Sequence, residues 1–390
     1  MIVHREQDLK GVGLGLPLYN DLAHQRYTVN VTVGTPPQPY SLTIDTGSSD
    51  FWLPLWNSSG CAPDCPTGTF DPRDSSTVKD TGLPYNATFG LTPDLRVVGR
   101  YYNETVTIGG IVIPDMTLGV GDVPPTLFNA GLFGIIGLSS PLGEAIYSNP
   151  SSPKFHQAHA TFPTLWQQLY LHGYISKRLF SIWLNKQSAT TGSILFGGID
   201  STKYSGEIKT VPVVKSASGP IKLFTGWAVN LTSVTRRTRD AGGVEDLMGG
   251  NLTVTTVLDS GSPNMYLPTS LYASITTPLH PEMYNNTPYV LCSLRISLAT
   301  TFLTFGFGSP GYAGPEIAVP YEEIIYPFGF PANAGEVRDG DGKELCYLGV
   351  IATEGPVFLL GDTLIRSAYV VYDVDGLKIG MAQARYGDES

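Results

Sequence analysis

Short apolar runs of four or five residues, separated by glycine, proline and small polar side chains, recur along this chain. That spacing predicts many brief strands joined by turns, with few helices. Ser41-Leu42-Thr43-Ile44 reads as a strand that enters Asp45-Thr46-Gly47-Ser48-Ser49 and continues into Phe51-Trp52-Leu53-Pro54. In the second half, Thr255-Thr256-Val257-Leu258 enters Asp259-Ser260-Gly261-Ser262-Pro263 and continues into Met265-Tyr266-Leu267-Pro268, matching the first stretch position by position. Each copy is followed by an apolar strand ending in glycine, Gly134-Ile135-Ile136-Gly137 and Phe358-Leu359-Leu360-Gly361. An internal repeat of this kind implies two copies of one structural unit.

A third triplet, Asp80-Thr81-Gly82, follows Val78-Lys79 rather than an apolar strand, and is read as a turn. Two helices are expected. One spans residues 163–171, where Leu165, Trp166, Leu169 and Tyr170 share a face and Gly173 stops it; the other starts after Pro268 with Thr269 as its cap.

The chain has 390 residues, long for one core, so two domains of roughly 200 residues are expected. The division is placed at 1–200, with the first Asp-Thr-Gly loop and a flap hairpin, and 201–390, with the Asp-Ser-Gly loop. Charged residues are only 15%, against 44 glycines and 30 prolines, which also favours a mostly β fold. A net charge of -10 without a Lys/Arg run excludes a nucleic-acid binder, since little could neutralise phosphates. The cluster Arg236, Arg237 and Arg239 reads as a solvated loop. No apolar run reaches the roughly 18 residues that a membrane span needs.

The cysteines fall as a close pair, Cys61 and Cys65, and a distant pair, Cys292 and Cys346, one pair in each half. Two disulfides, Cys61–Cys65 and Cys292–Cys346, and an oxidising compartment are therefore expected. Zinc fails as a rival because neither pair has neighbouring ligands to complete a site of four, and His156 and His159 lie in a Ser/Pro/Ala-rich loop; no metal or other cofactor is expected. Asn-x-Ser/Thr acceptors at Asn30, Asn57, Asn86, Asn103, Asn230, Asn251 and Asn285 point the same way. Met1 to Lys10 carries no apolar signal core, so the expectation is a secreted or vacuolar glycoprotein already trimmed of its signal and most of a propeptide. Gly11, Gly13 and Gly15 precede no helical pattern and read as a flexible terminus.

With these residues in place the chain resembles the pepsin-like aspartic peptidases, as a fungal-type secreted member, over nearly its whole length. Asp45-Thr46-Gly47-Ser48-Ser49 with Trp52 resembles the family's first active-site loop and Asp259-Ser260-Gly261-Ser262 its second. Gly197-Gly198-Ile199-Asp200 resembles the crossing between lobes, and Leu360-Gly361-Asp362-Thr363-Leu364-Ile365-Arg366 through Tyr369, Tyr372-Asp373 and Ile379-Gly380 the closing signature. Both cysteine pairs fit the family's disulfides. The resemblance implies a bilobal acid-protease fold, two pseudo-twofold-related β lobes with a cleft between them, working as a monomer on a polypeptide, with a propeptide removed on activation.

Peptide hydrolysis without metal or covalent nucleophile needs one group to take a proton from water and another to give one. Two carboxyls sharing a proton do both, because like charges in contact cannot both ionise; aspartic proteases are the standard example. Asp45 and Asp259 are the candidates. The resemblance implies that Thr46 and Ser260 brace the loops, Gly47 and Gly261 permit close approach, and Ser48 and Ser262 orient the acids.

The flap candidate runs from Ala87-Thr88-Phe89-Gly90 to Val97-Val98-Gly99. Here the chain departs from the family: Phe89 stands where a tyrosine normally bonds to the tryptophan matched by Trp52, Leu91 and Pro93 replace a glycine-rich tip, and Pro263 replaces Ser or Thr. Phe128, Leu132 and Ile135 are expected to line the side that receives the residue before the cut, favouring hydrophobic side chains. Two rivals remain: a pepsin-fold protein acting as a binding module or on a non-protein substrate, and a serine hydrolase, for which no Gly-x-Ser-x-Gly elbow is found.

Overall fold

The computed structural model describes residues 13–62, 65–90, 95–214, 226–239, 243–249, 252–309, 314–331, 335–355 and 357–387. Leu91 and Pro93 of the expected flap tip, Gly11 and the acceptor Asn251 lie outside these residues. Among the described residues the strands form sheets of 13, 8 and 4 strands. Strand Leu14–Asp21 shows why: Leu14, Leu16 and Leu18 are buried and alternate with exposed neighbours, the period-two pattern that packs one face of a sheet.

The repeat seen in the sequence is a repeat of topology. Strand Gln38–Asp45 pairs in parallel with Ile135–Gly137, which pairs antiparallel with Phe51–Pro54. Strand Val254–Leu258 pairs in parallel with Phe358–Leu360, which pairs antiparallel with Met265–Pro268. A fourth parallel neighbour completes each set, Ile111–Asp122 beside Trp52 and Val350–Thr353 beside Met265. Each acid therefore leaves a buried central strand at the same point of the same motif.

The two halves are joined by sheet and by core. Strand Ala368–Asp373 pairs with Leu179–Trp183, and Lys378–Ala384 with Tyr204–Pro212, so that residues 368–384 complete the largest sheet. Behind the loops Tyr372 stacks on Phe180 at 4.7 Å, and the Trp227 indole donates to the Leu138 carbonyl at 3.2 Å. The main hydrophobic cluster is continuous across the seam.

The expected helix at 163–171 is present as Leu165–Leu171, entered through Thr164, whose backbone N–H donates to Gln167 Oε1 at 2.9 Å. The second helix, Thr269–Thr276, differs from expectation at its start: Pro268 is the cap residue, and Thr269 is the first helical residue, its hydroxyl spent on Glu354. Asp80-Thr81-Gly82 also differs. It lies within strand Lys79–Thr88, at a break in register where Asp80 Oδ1 accepts the Gly82 N–H at 2.8 Å, so the turn chemistry makes an irregularity in a strand. Both cysteine pairs form disulfides, Cys61–Cys65 and Cys292–Cys346. No helix among the described residues is long and apolar enough to cross a membrane.

One buried ion pair lies within the second half and reaches the first through Gln187. Arg366 Nε donates to Glu323 Oε2 at 2.5 Å, its Nη2 to the Glu323 carbonyl at 2.7 Å, and the same carboxylate accepts the Gln187 N–H at 2.9 Å. Both side chains are almost wholly buried. Removing one partner strands the other charge, so Glu323→Gln should destabilise the protein by about 3–5 kcal/mol, whereas Glu323→Leu with Arg366→Met should cost far less. Thermal unfolding of the two variants checks this; equal melting temperatures would refute it.

Candidate active site

Each acid sits on the turn that leaves its central strand, and each turn folds back on its own carboxylate. Asp45 Oδ1 accepts the N–H of Gly47 at 2.7 Å and of Ser48 at 3.2 Å, while Oδ2 accepts the Ser48 hydroxyl at 2.5 Å. Asp259 repeats this with the Gly261 N–H at 2.9 Å and the Ser262 hydroxyl at 2.7 Å. These donors fix the plane of each carboxyl group and favour its charged form.

The two turns are locked to each other by a reciprocal clamp. The Thr46 hydroxyl donates to the Leu258 carbonyl at 2.8 Å and accepts the Ser260 N–H at 3.0 Å; the Ser260 hydroxyl donates to the Ile44 carbonyl at 3.0 Å and accepts the Thr46 N–H at 3.2 Å. Both residues are fully buried. Glycine is required beside them because a Cβ on Gly47 would lie 2.4 Å from Asp259 Oδ1, and one on Gly261 would lie 2.4 Å from the Asp45 carboxyl carbon. Each carboxyl thus occupies the space that a side chain on the opposite turn would need.

Burial and contact set the charge of the pair. Asp45 and Asp259 are 6% and 8% exposed. Removal from water, then the charge of Asp259, and a hydrogen bond shared between the two carboxyls push Asp45 up to about 8, against the opposing bonds from Ser48 and Gly47.

The acids open onto an interlobe cleft of about 680 Å³. Thr88, Phe89, Gly90 and Leu95 cover it; Leu132 and Ile135 form one wall; Tyr266, Tyr289, Tyr347, Ile351 and Leu359 form the other. Phe89 donates its N–H to the Leu95 carbonyl at 2.7 Å, closing the hairpin between strands Lys79–Thr88 and Arg96–Ile108. Phe128 is absent from the lining: it packs on Phe133 at 5.5 Å and is 37% exposed. Trp52 lies beneath the flap, its ring 5.6 Å from Phe89, and its buried indole nitrogen has no hydrogen-bond partner. The unmet donor agrees with the resemblance, which places a tyrosine hydroxyl where Phe89 has none. Pro263 offers its carbonyl to the Thr363 hydroxyl at 2.8 Å.

Sequence reasoning passed over Asp50. Buried just beyond the first turn, its carboxylate accepts the Tyr101 hydroxyl at 2.6 Å and the Ala145 N–H at 2.8 Å, tying the Asp45 turn to the flap's outgoing strand. Burial pushes it up to about 6, and burial with the Asp50 charge pushes Glu144 well above its usual range. An acid directly after Ser48-Ser49, where an apolar residue would be expected to start the strand, was the available signal. Asp362, in the closing signature, is also buried close enough to feel both Asp45 and Asp259, and burial raises it well above the carboxylate range.

A family model described as eukaryotic aspartyl protease matches residues 26–384. Among curated relatives, a probable aspartic-type endopeptidase OPSB of Arthroderma benhamiae is 33% identical over 376 residues, 94% of this chain and 70% of that protein. An acid protease of Saccharomycopsis fibuligera is 32% identical over 96% of this chain and 84% of its own length. Secreted aspartic protease 4 of Candida albicans is 30% identical over 93% of this chain and 78% of its own. Among solved structures, the aspartic proteinase from Irpex lacteus superposes with a TM-score of 0.71 at 23% identity, covering 96% of this chain and 98% of that one, which bears out the mostly β, two-lobed fold.

The raised Asp45 also predicts a stability profile. The folded state binds this proton more tightly than the unfolded chain, whose value is 3.8, so the contribution is fully present below about pH 4 and is lost as pH rises to about 8. Asp45→Asn, which cannot ionise, should show a smaller fall in melting temperature than the parent between those limits. Parallel melting curves across the whole range would contradict the assignment.

Proposed function

The chain belongs to the eukaryotic aspartyl protease family, and from that premise we propose that Asp45 and Asp259 carry its chemistry. The protein is an aspartic endopeptidase, a hydrolase that takes a polypeptide into its interlobe cleft. The observation that carries the catalytic assignment is the contact of two buried carboxyls, each oriented by its own turn and both held by the Thr46/Ser260 clamp.

In this reading the ionised member of the pair takes a proton from water as the water oxygen attacks the peptide carbonyl carbon, and the protonated member gives its proton to the carbonyl oxygen. The tetrahedral product then collapses: the C–N bond breaks as the amine takes a proton from one carboxyl, the other carboxyl takes the proton of a gem-diol hydroxyl, and a carboxylic acid is released. The pair holds one proton and one negative charge before and after the cycle. Gly47 and Ser48, with Gly261 and Ser262, hold the two groups so that little reorganisation accompanies proton transfer. The apolar walls at Leu132 and Ile135 favour a hydrophobic residue before the cut. A secretory-pathway site, secreted or vacuolar, agrees with the two disulfides and with the secreted Candida relative.

Asp45→Asn and Asp259→Asn, each alone, should each lower kcat/KM on a denatured protein at acid pH by about 10³-fold or more while leaving the melting temperature near the parent's. A peptide analogue with a hydroxyl at the scissile carbon should inhibit the parent. A fully active single variant would sink the shared-proton mechanism; an inert but folded parent would favour the binding-module reading.

The flap supplies a separate check. Phe89→Tyr gives the Trp52 indole a partner and should raise kcat/KM by about fivefold, the worth of one hydrogen bond of about 1 kcal/mol in covering the cleft. Unchanged or lower turnover would show that the flap is not limited by that bond.

A further inference from the structure

Arg26 is a cation that the fold leaves without an anion. It opens strand Arg26–Val33 and lies in the wall of the cleft beside His24, Gln25 and Ala130, on the side of Leu132. It is 9% exposed, yet its guanidinium donates only to two backbone carbonyls, Gln25 at 3.4 Å and Ala130 at 3.2 Å, and its buried Nε has no partner. None of the ion pairs among the described residues includes it.

The neighbouring acids are committed elsewhere. Asp21 is bonded to His24 at 2.8 Å. Asp362 feels Arg26, but it is influenced more by Arg366, and its burial keeps its carboxyl protonated well above the usual range. Asp45 and Asp259 hold their one charge against four donors of their own turns. A buried guanidinium without a counter-ion is costly, and its terminal nitrogens, held by two long backbone bonds alone, keep N–H groups for a carboxylate in the cleft.

We propose that Arg26 is a specificity-determining residue of the cleft that reads an acidic side chain of the substrate, a glutamate or aspartate placed before the cleaved bond. The enzyme thus selects polypeptides carrying an acidic residue a few positions ahead of an apolar one. This rests on the reading of the cleft as the substrate site. It has a pH signature of its own, because the substrate carboxyl must be ionised: the preference is present above the substrate's own value and fades as pH falls through it.

The test uses quenched peptides with a fixed apolar residue before the cut and glutamate or glutamine at each of the three positions ahead of it. At one position the glutamate peptide should be preferred by about tenfold or more in kcat/KM at about pH 5.5, and the ratio should approach one at about pH 3, below the free glutamate value. Arg26→Gln should collapse the ratio, and Arg26→Glu should turn the preference toward lysine. Equal cleavage of both peptides by the parent at every position, or a ratio that survives Arg26→Gln, would overturn the proposal. So would a common shift of the pH profile for both peptides in Arg26→Gln, which would make Arg26 a partner of Asp362 and the acid pair instead. If the parent cleaves none of the peptides, the cleft reading itself fails; if it cleaves glutamine and glutamate peptides alike, only the role of Arg26 fails.

Discussion

Two carboxyl groups pressed together out of water can keep only one negative charge between them, and the molecule is organised to hold them in that state. Their natural tendency is to separate or to draw in solvent. The Thr46/Ser260 clamp prevents the first by bonding each turn to the backbone of the other strand. Burial to below a tenth of full exposure limits the second. The remaining architecture serves those two ends: paired parallel strands bring each acid to the seam, and a continuous aromatic core behind the clamp, with Phe180, Trp227 and Tyr372, fixes the distance between the halves.

A second set of buried acids surrounds this centre. Asp50 and Glu144 lie under the flap, and Asp362 lies behind the loops. Asp50 is satisfied by Tyr101 and Ala145, and Glu144 accepts the Phe162 N–H at 2.8 Å, so their burial is offset by hydrogen bonds that reach from the Asp45 turn to the flap strand and a short helix. Trp52, in the same region, keeps a donor unmet. The flap side of the cleft is therefore held by an acid–tyrosine contact at Asp50 and Tyr101, while the contact expected at Phe89 and Trp52 is one of rings alone.

Much of this was legible in the chain because duplication writes the same pattern twice. The Asp-Thr/Ser-Gly-Ser loops, their entering strands and the later strands at Ile135–Gly137 and Phe358–Leu360 could be aligned by eye, and they are the elements that meet at the seam. What escaped was unduplicated or set by tertiary contact. Pro268 is still extended where its strand ends and Thr269 is already helical, so the cap lies one residue earlier than expected. Phe128 has the apolar character of a cleft residue, but the turn of helix Pro125–Asn129 aims it at Phe133. Asp50 is matched in the second copy by the uncharged Asn264, Arg26 lies outside the matched stretches, and only the packing around them shows that one is satisfied and the other is not.

The sheet that joins the halves has a temporal consequence. Strand Leu179–Trp183 is bordered on one side by Thr191–Phe196, available at once, and on the other by Ala368–Asp373, nearly two hundred positions later in synthesis. While a ribosome is still translating, the first half presents an unpaired edge and an aspartate with nothing opposite it. The sheet that joins the two halves can therefore close only after residues 368–384 have emerged and docked.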